Sequence, residues 1–342
     1  MTQLNCVYLY LYSPLHTGGT TQEGNLVGIA RESHTNLPYI PSSTIRGRLR
    51  ASIEDKDLRV QLFGPELKDI APPSNENLSN TSEEVSNNSE ADQTSNSNNL
   101  EQGDIWIGDG SLLWFPLASL SHGVVWITCP RLLQRWKRYY PSSLSIPESG
   151  YYTNLNTKNP IYLRDAVVKD GLNKWDDCNK FIPKDNVNTE IDSVLLLPNQ
   201  HCATLIQMGL WRQVKIKLDE HKSVEGGFRY EEAIPSDTLM YFPWGLTAQV
   251  RDADEIELEN ENSKKQKELH VKRIKLAQKY QIKSQKDIEI VNKLFNKHLE
   301  KKNQQILQIG GQESLGRGFV KQWIWNPKNP SEQTQSQPAE VK

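Results

Sequence analysis

The stretch from Ser42 to Arg50 carries residue types that could bind an anion. Arg46 and Arg50 are four residues apart on one face of a predicted helix, and Arg48 lies between them. Ser42 and Ser43 lie at the start of that helix, where unpaired N–H groups and the positive end of the dipole face outward. Arginine has a planar fork of donors that suits phosphate oxygens. The alternative interpretation is an ordinary capped helix with a charged outer face.

A glycine-rich loop near the C-terminus is a second candidate for phosphate binding. Gly310 and Gly311 precede Gly316, Arg317 and Gly318. Glycine lets a backbone approach a ligand closely, and Arg317 offers a guanidinium. The loop is neither a Rossmann fingerprint nor a P-loop, because its glycine spacing differs and it precedes a strand. A glycine-rich turn without a ligand is the alternative.

His16 follows Ser13 and Pro14 at the end of the first predicted strand. Because imidazole titrates near neutral pH, His16 is a candidate general acid or base in ribonuclease chemistry. A structural loop histidine is the alternative. Neither the histidines nor the cysteines have the spacing of a metal site, so we expect no metal ligands.

Composition narrows the class of protein. The four cysteines are widely separated, which excludes a zinc knuckle and a disulfide-stapled mini-fold and favours a reducing cytoplasm. The apolar run from Cys6 to Leu15 is too short to span a bilayer, so we expect no membrane partner. The formal net charge of −2 argues against a nucleic-acid partner unless charge is segregated along the chain.

Charge is segregated in this way. Residues 69–102 are dominated by Ser, Asn and acidic residues, which cannot bury enough apolar surface to offset the entropy of ordering, so we expect a disordered loop. Residues 252–285 are predicted to form a charged helical arm whose basic part, 264–283, projects into solvent. Residues 327–342 are predicted to be a disordered tail. The loop at 69–102 and the arm at 252–285 are insertions that interrupt one predicted core domain, residues 1–326.

Periodicity predicts the first and last elements of this core. Aromatic and aliphatic residues alternate from Asn5 to Ser13, as in a strand packed on both faces. Ile45, Leu49 and Ile53 form the buried stripe of a helix that a serine caps. A second helix, the glycine loop and a strand from Phe319 end the core. The stripe of that second helix is Ile288, Val291, Leu294, Phe295 and Leu299. This order predicts an α+β, ferredoxin-like fold with large insertions.

Seven segments in order resemble the RAMP superfamily, and most closely the backbone subunits of type III-B CRISPR (Cmr) effector complexes. The resemblance spans nearly the whole chain apart from the acidic loop, the charged arm and the tail. The segments are Leu15–Gly19, Arg31–Arg50, Leu62–Gly64, Gly108–Leu117, Val125–Pro130, Gly226–Pro235 and Ile309–Gly318.

The resemblance implies an RRM-like domain that polymerises along a CRISPR RNA in an antiviral ribonucleoprotein. The implied partners are CRISPR RNA, target RNA, further copies of the chain and other Cmr-type subunits, including the large polymerase-like subunit. Base pairing would then read sequence while the protein reads the RNA backbone. The family's β-hairpin thumb is expected between Gly150 and Asn199. The expected RNA-binding residues are His16, Ser42, Ser43, Arg46, Arg48, Arg50, Gly310, Gly311, Gly316, Arg317 and Gly318.

One departure from the family concerns cleavage. The family's slicing subunit carries an aspartate between the first glycine turn and the Arg-Glu pair, and here Leu26 falls at that position. Leucine neither ligates a metal nor accepts a proton, so we expect no catalytic residue and no bound cofactor. Mg²⁺ or Mn²⁺ would be needed only if cleavage is retained. Two alternatives stay open, namely slicing with Glu23 or Glu32, and CRISPR RNA processing by His16 in a stand-alone ribonuclease.

Overall fold

The structure is a computed structural model. It describes residues 5–19, 22–23, 26–65, 102–139, 144–148, 150–156, 159–169, 171–184, 191–251, 261–302 and 306–325. Apart from Gln102, the predicted acidic loop (69–102) lies outside these residues, as do 252–260 of the predicted arm and the predicted tail (327–342). Among the residues described, no helix is long and apolar enough to cross a membrane.

Helices and strands alternate irregularly along the chain. The helices are α1 (Ser42–Ala51), α2 (Lys56–Phe63), α3 (Pro130–Lys137), α4 (Asn199–Gly209), α5 (Ala248–Arg251), α6 (Glu261–Lys279) and α7 (Asp287–Lys302). The strands are β1 (Asn5–Leu11), β2 (Gln22–Glu23), β3 (Leu26–Val27), β4 (Ile105–Ile107), β5 (Ser111–Ser119), β6 (Gly123–Thr128), β7 (Tyr151–Thr153), β8 (Ile161–Leu163), β9 (Ala166–Val168), β10 (Leu172–Lys174), β11 (Val194–Leu196), β12 (Trp211–Leu218), β13 (Val224–Ala233), β14 (Leu239–Leu246), β15 (Leu307–Gln308) and β16 (Phe319–Ile324).

The chain divides into two compact units. Unit 1 comprises Met1–Ser52, Ile107–Gly245 and Phe295–Lys342, and unit 2 comprises Ile53–Trp106 and Leu246–Leu294. The sequence predicts one core domain with two insertions. The two ranges of unit 2 span both predicted insertions together with the residues that flank them.

Unit 1 contains a large sheet with the strand order β10-β7-β11-β6-β5-β14-β1-β16-β15. β1 lies inside it and is antiparallel to both neighbours, with Tyr8 opposite Tyr241 on β14 and Trp323 on β16. Every residue from Cys6 to Leu11 is buried. This confirms the predicted strand, because only a strand covered on both faces buries consecutive side chains.

The two predicted helices are also present, with one difference in packing. In α1, Ile45 and Leu49 are buried, as the periodicity predicts. In α7, Ile290 is fully buried and Ile288 is only half-buried, so Ile290 takes the place that the sequence assigned to Ile288. The other predicted members of that stripe, Val291, Leu294, Phe295 and Leu299, are buried.

Unit 2 is organised around a buried arginine. Arg273 of α6 is fully buried, and its guanidinium contacts Asp104 at 2.7 Å and Asp287 at 2.6 Å. Gln61 of α2 donates a further hydrogen bond to Asp104 at 2.8 Å. The prediction that residues 264–283 project into solvent is therefore wrong. In the sequence a buried, paired arginine cannot be told from the exposed bases around it.

Candidate functional site

The start of α1 is anchored by a distant part of unit 1. The helix begins at Ser42, directly after Pro41, and the Ser42 backbone N–H donates to Oδ1 of Asp109 at 2.7 Å. A backbone bridge between Ile40 and Gly110 fixes the same corner. The prediction of a serine cap is wrong, because Ser42 is already the first helical residue and the accepting carboxylate comes from Asp109.

The Asp109 carboxylate changes the electrostatics of this predicted anion site. It takes the position near the helix start that is most favourable for a negative charge. A phosphate approaching Ser42 and Ser43 would meet this charge at close range. Attraction to an anion must therefore come mainly from arginine side chains rather than from the helix dipole.

Those arginines are grouped as the sequence predicts. Arg46, Arg48 and Arg50 are half-buried on α1, whose inner face packs through Ile45 and Leu49. Burial, with the neighbouring charge of Arg50, lowers the pKa of Arg46. A bound anion would relieve both effects, because it stabilises the charged form.

Two of the loop glycines are required by the packing of the chain itself. Gly310 has φ +82, and a Cβ there would lie 2.4 Å from the His16 carbonyl oxygen. Gly318 has φ +77, and a Cβ there would lie 1.9 Å from the Ile309 carbonyl oxygen. Of these four loop glycines, Gly311 and Gly316 are the two with space beside the backbone that a ligand could enter.

Arg317 does not face solvent, contrary to its predicted role as a phosphate contact. Its side chain is 4% exposed and Nη1 donates to Glu231 at 2.9 Å. Nη2 donates to Gln213 at 3.1 Å, and the guanidinium lies over the Trp211 ring at 4.5 Å. Because removing such a group from its carboxylate leaves a buried charge unpaired, we assign Arg317 to the support of the loop.

Glu231 is the acidic partner of this cluster. Lys215 contacts it at 2.8 Å, and Arg229 at 3.5 Å. Burial opposes ionisation, but the hydrogen bonds and charges of Lys215 and Arg317 outweigh it and hold the pKa of Glu231 below its ordinary value. The carboxylate is therefore charged at neutral pH and holds the loop to β13.

His16 lies beside the same loop and is 7% exposed. Its carbonyl oxygen accepts the Gly311 N–H at 2.9 Å. Burial, with the charges of Arg317 and Lys215, lowers the pKa of the imidazole although Glu231 opposes this. Nδ1 is buried without a hydrogen-bond partner among the described residues. Burial leaves the ring poorly placed to reach a substrate, so the geometry does not favour a general acid or base here.

Leu26, at the position expected for a cleaving aspartate, is half-buried in the short strand β3. It pairs in parallel with Tyr230 of β13. The side chain of Glu23 lies outside the described residues. Glu32 is bound by Arg135 at 2.5 Å. Neither the position nor the described acids around it supply a set of metal ligands.

A set of metal ligands is also missing from the rest of the described chain. No group of three or more His, Cys, Asp or Glu side chains there could hold a metal ion. Glu232, the neighbour of Glu231, is bound by Arg31 at 2.6 Å and Arg212 at 2.9 Å. Among the residues described, the acids nearest to Leu26 are thus either paired with arginine or not grouped as metal ligands.

Sequence reasoning missed an exposed hairpin formed by β12 and β13. Val214 lies opposite Tyr230, Ile216 opposite Phe228, and Leu218 opposite Val224 across the two strands. Directly opposite residues share a face of a sheet, and these six side chains are between 45% and 59% exposed. The alternation of Val214, Ile216 and Leu218 with polar residues was a usable signal. In the range Gly150–Asn199, where the sequence places the thumb, β8 and β9 form a short antiparallel pair, and no observation assigns it that role.

Comparison with known proteins assigns the family. The sequence model of the RAMP superfamily matches residues 8–321 of this chain. The chain belongs to the RAMP superfamily. Its mixed α+β structure with a large sheet is consistent with the RAMP fold.

Individual RAMP proteins are similar over nearly the whole chain. The CRISPR system Cmr endoribonuclease Cmr4 of Pyrococcus furiosus is 25% identical over 340 residues, covering 92% of this chain and 93% of the relative. The crystal structure of oligomeric Cmr4 from Pyrococcus furiosus matches with a TM-score of 0.58 at 20% identity, covering 94% and 98% of the two chains. A chain of the type III-B Cmr-beta complex bound to cognate target RNA matches with a TM-score of 0.59 at 17% identity, covering 94% and 96%. The solved structures show that the fold is shared.

Proposed function

We propose that this RAMP protein is the guide-binding backbone subunit of a type III-B-like antiviral complex, in which copies polymerise along a CRISPR RNA and present it to target RNA. The observation that carries the proposal is the similarity to Cmr4 over 92% of the chain. The fold shared with a chain of a Cmr-beta complex bound to cognate target RNA supports it. Its partners would be CRISPR RNA, target RNA, further copies of itself and other Cmr-type subunits, including the large polymerase-like subunit.

We infer that the core of unit 1 is ferredoxin-like. The strands β16, β1, β14 and β5 are adjacent in this order and antiparallel to one another. A βαββαβ unit of this type orders its strands 4-1-3-2, with a helix after the first strand and another before the last. Here α1 follows β1 and α7 precedes β16. The order of elements supports the finer assignment.

The guide contacts are assigned to groups that the structure leaves accessible. Arg46, Arg48 and Arg50 would bind phosphates through α1, with the hydroxyls of Ser42 and Ser43 beside them. In the glycine loop, the backbone at Gly311 and Gly316 would approach the guide. Gly310, Gly318, Arg317 and His16 would shape that loop without touching RNA. Such contacts fix register and carry no sequence preference.

The exposed hairpin β12–β13 is proposed as the thumb of this subunit. Phe228 and Tyr230 offer rings on which a base can stack, and the aliphatic residues opposite them offer a dry surface. On the opposite face Lys215 is bound to Glu231 at 2.8 Å and Lys217 to Glu225 at 2.9 Å, so the apolar face is the surface that we assign to RNA. Exposing so apolar a face to water is unfavourable, which supports the proposal that a binding partner covers it.

We propose further that this subunit binds target RNA without cutting it. The Pyrococcus furiosus relative is named an endoribonuclease. In this chain Leu26 replaces the acid that the family's slicing chemistry needs, and Glu32 is already paired with Arg135. Loss of the carboxylate removes both a metal ligand and a proton acceptor.

The assembled complex tests both proposals. We expect the chain purified from its host to carry a short repeat-derived RNA, and the complex to leave target RNA intact with Mg²⁺ or Mn²⁺. Purification free of such RNA would refute guide binding. Regularly spaced products that disappear in a Glu23→Gln variant would refute only the second proposal, because guide binding would remain.

A further inference from the structure

Unit 2 contains a groove between α2 and α6 with a volume of 510 Å³. Val60 of α2 and Leu269 and Leu276 of α6 contribute its apolar lining. Leu269 and Leu276 are seven residues apart and therefore share a face of α6. This volume lies in the range of protein sites that hold a few side chains or a small ligand.

The rim of this groove is strongly basic. Lys56, Lys272, Lys275 and Lys279 line it, against one acid, Asp57. Lys279 is bound to Asp55 at 2.8 Å. Lys272 and Lys275 are exposed and form no ion pair with another residue in the described part of the chain. The groove thus combines an apolar floor, formed by Val60, Leu269 and Leu276, with two exposed lysines, Lys272 and Lys275, that are open to acidic groups from outside it.

We propose that this groove binds an acidic protein segment with aliphatic side chains, supplied by another polypeptide. The aliphatic side chains would occupy the floor formed by Val60, Leu269 and Leu276, and the carboxylates would pair with Lys272 and Lys275. Amphipathic segments that bind in a groove between helices are typically held in this way, by apolar side chains in the groove and by charged groups at its edge. The inference is independent of the proposed RNA contacts, all of which lie in unit 1.

Three features favour a protein segment over RNA. None of the described lining residues is aromatic, so a nucleobase would find no ring on which to stack. The rim cations are lysines, whereas bidentate recognition of phosphate favours arginine. An aliphatic floor would also be a poor surface for a hydrated phosphate, while it suits a leucine or isoleucine side chain.

The test uses the full-length chain and a fluorescein-labelled peptide of alternating glutamate and leucine. We expect the peptide to bind, and a Lys272→Glu/Lys275→Glu variant to bind it about tenfold more weakly. A Lys264→Glu/Lys265→Glu variant is the matched control, because it makes the same charge change on exposed residues of α6 outside the groove lining. Its affinity should stay within about twofold.

Three further measurements test what occupies the groove. A peptide of glutamate alone should bind the full-length chain more weakly than the alternating peptide, and equal binding would show that the apolar floor has no role. A labelled single-stranded RNA should bind both variants equally, and selective loss in the groove variant would make this an RNA surface. If the alternating peptide binds only after residues 72–100 are deleted, the chain's own acidic stretch is the occupant and the proposal fails.

Discussion

At the scale of single residues, Asp109 determines whether the start of α1 or its arginines attract RNA. Its carboxylate already accepts the Ser42 N–H, so the helix start is partly neutralised and the arginines must supply the attraction for RNA. Arg46→Ala and Arg50→Ala should therefore weaken binding to any guide sequence about equally. Each should also flatten the dependence of log affinity on log salt by up to about one unit.

Fluorescence anisotropy with two unrelated RNA sequences measures both effects. Arg164→Ala is the matched control, because Arg164 is 62% exposed and pairs only with Asp165 among the described residues. This variant should keep the salt dependence of the parent chain. A loss of affinity confined to one RNA sequence would contradict contacts to the backbone.

Glu231 supports a second prediction, on pH dependence. Its pKa is lower in the folded chain than the ordinary value of 4.5, so the carboxylate stabilises the fold above that value. This contribution is lost as the pH falls through the folded pKa. Glu231→Gln should therefore lower stability at pH 7 and reduce the further loss on acidification.

Urea unfolding between pH 7 and pH 3 gives the free energy of unfolding for this comparison. Glu225→Gln is the control, since Glu225 is 50% exposed and pairs with Lys217 on the same hairpin. It should leave the pH dependence nearly unchanged. An unaltered slope in Glu231→Gln would show that the Glu231 cluster does not hold the loop.

At the scale of elements, periodicity predicted what local packing determines. β1, α1, α7 and β16 follow from apolar spacing alone, and the structure has all four. The exposure of the β12–β13 hairpin and the burial of Arg273 depend on contacts far apart in sequence. The same limit applies to the candidate site, where α1 was correctly located but Arg317 proved to be buried by residues of β12 and β13.

The burial of Arg273 on α6 predicts that a single substitution there lowers the free energy of unfolding strongly. Arg273→Leu would remove the guanidinium that is paired with the buried carboxylates of Asp104 and Asp287, at a cost of about 3–5 kcal/mol in the free energy of unfolding. Lys265→Leu changes an exposed residue of the same helix and should stay within about 0.5 kcal/mol. Denaturant unfolding followed by circular dichroism measures both. Equal stability of the two variants would contradict the buried ion pairs.

At the scale of the whole molecule, segregated charge reconciles a net charge of −2 with a nucleic-acid partner. The acidic residues between 72 and 100 lie in a stretch without Lys or Arg, whereas the candidate RNA contacts concentrate arginine on α1. Screening in physiological salt confines the field of each group to about 8 Å. Overall charge is therefore a poor guide to what any one surface of this chain binds.

Deleting residues 72–100 tests whether RNA binding is independent of the acidic stretch. The shortened chain should remain soluble, because shortening a connection changes the entropy of closure only slowly with length. It should also bind RNA at physiological salt within about twofold of the parent, since none of the proposed RNA contacts lies in this stretch. Gln102 is kept, because its carbonyl oxygen accepts a hydrogen bond from Gln249 at 2.7 Å. Insoluble protein, or RNA affinity that falls with the deletion, would place part of the functional fold in this acidic stretch.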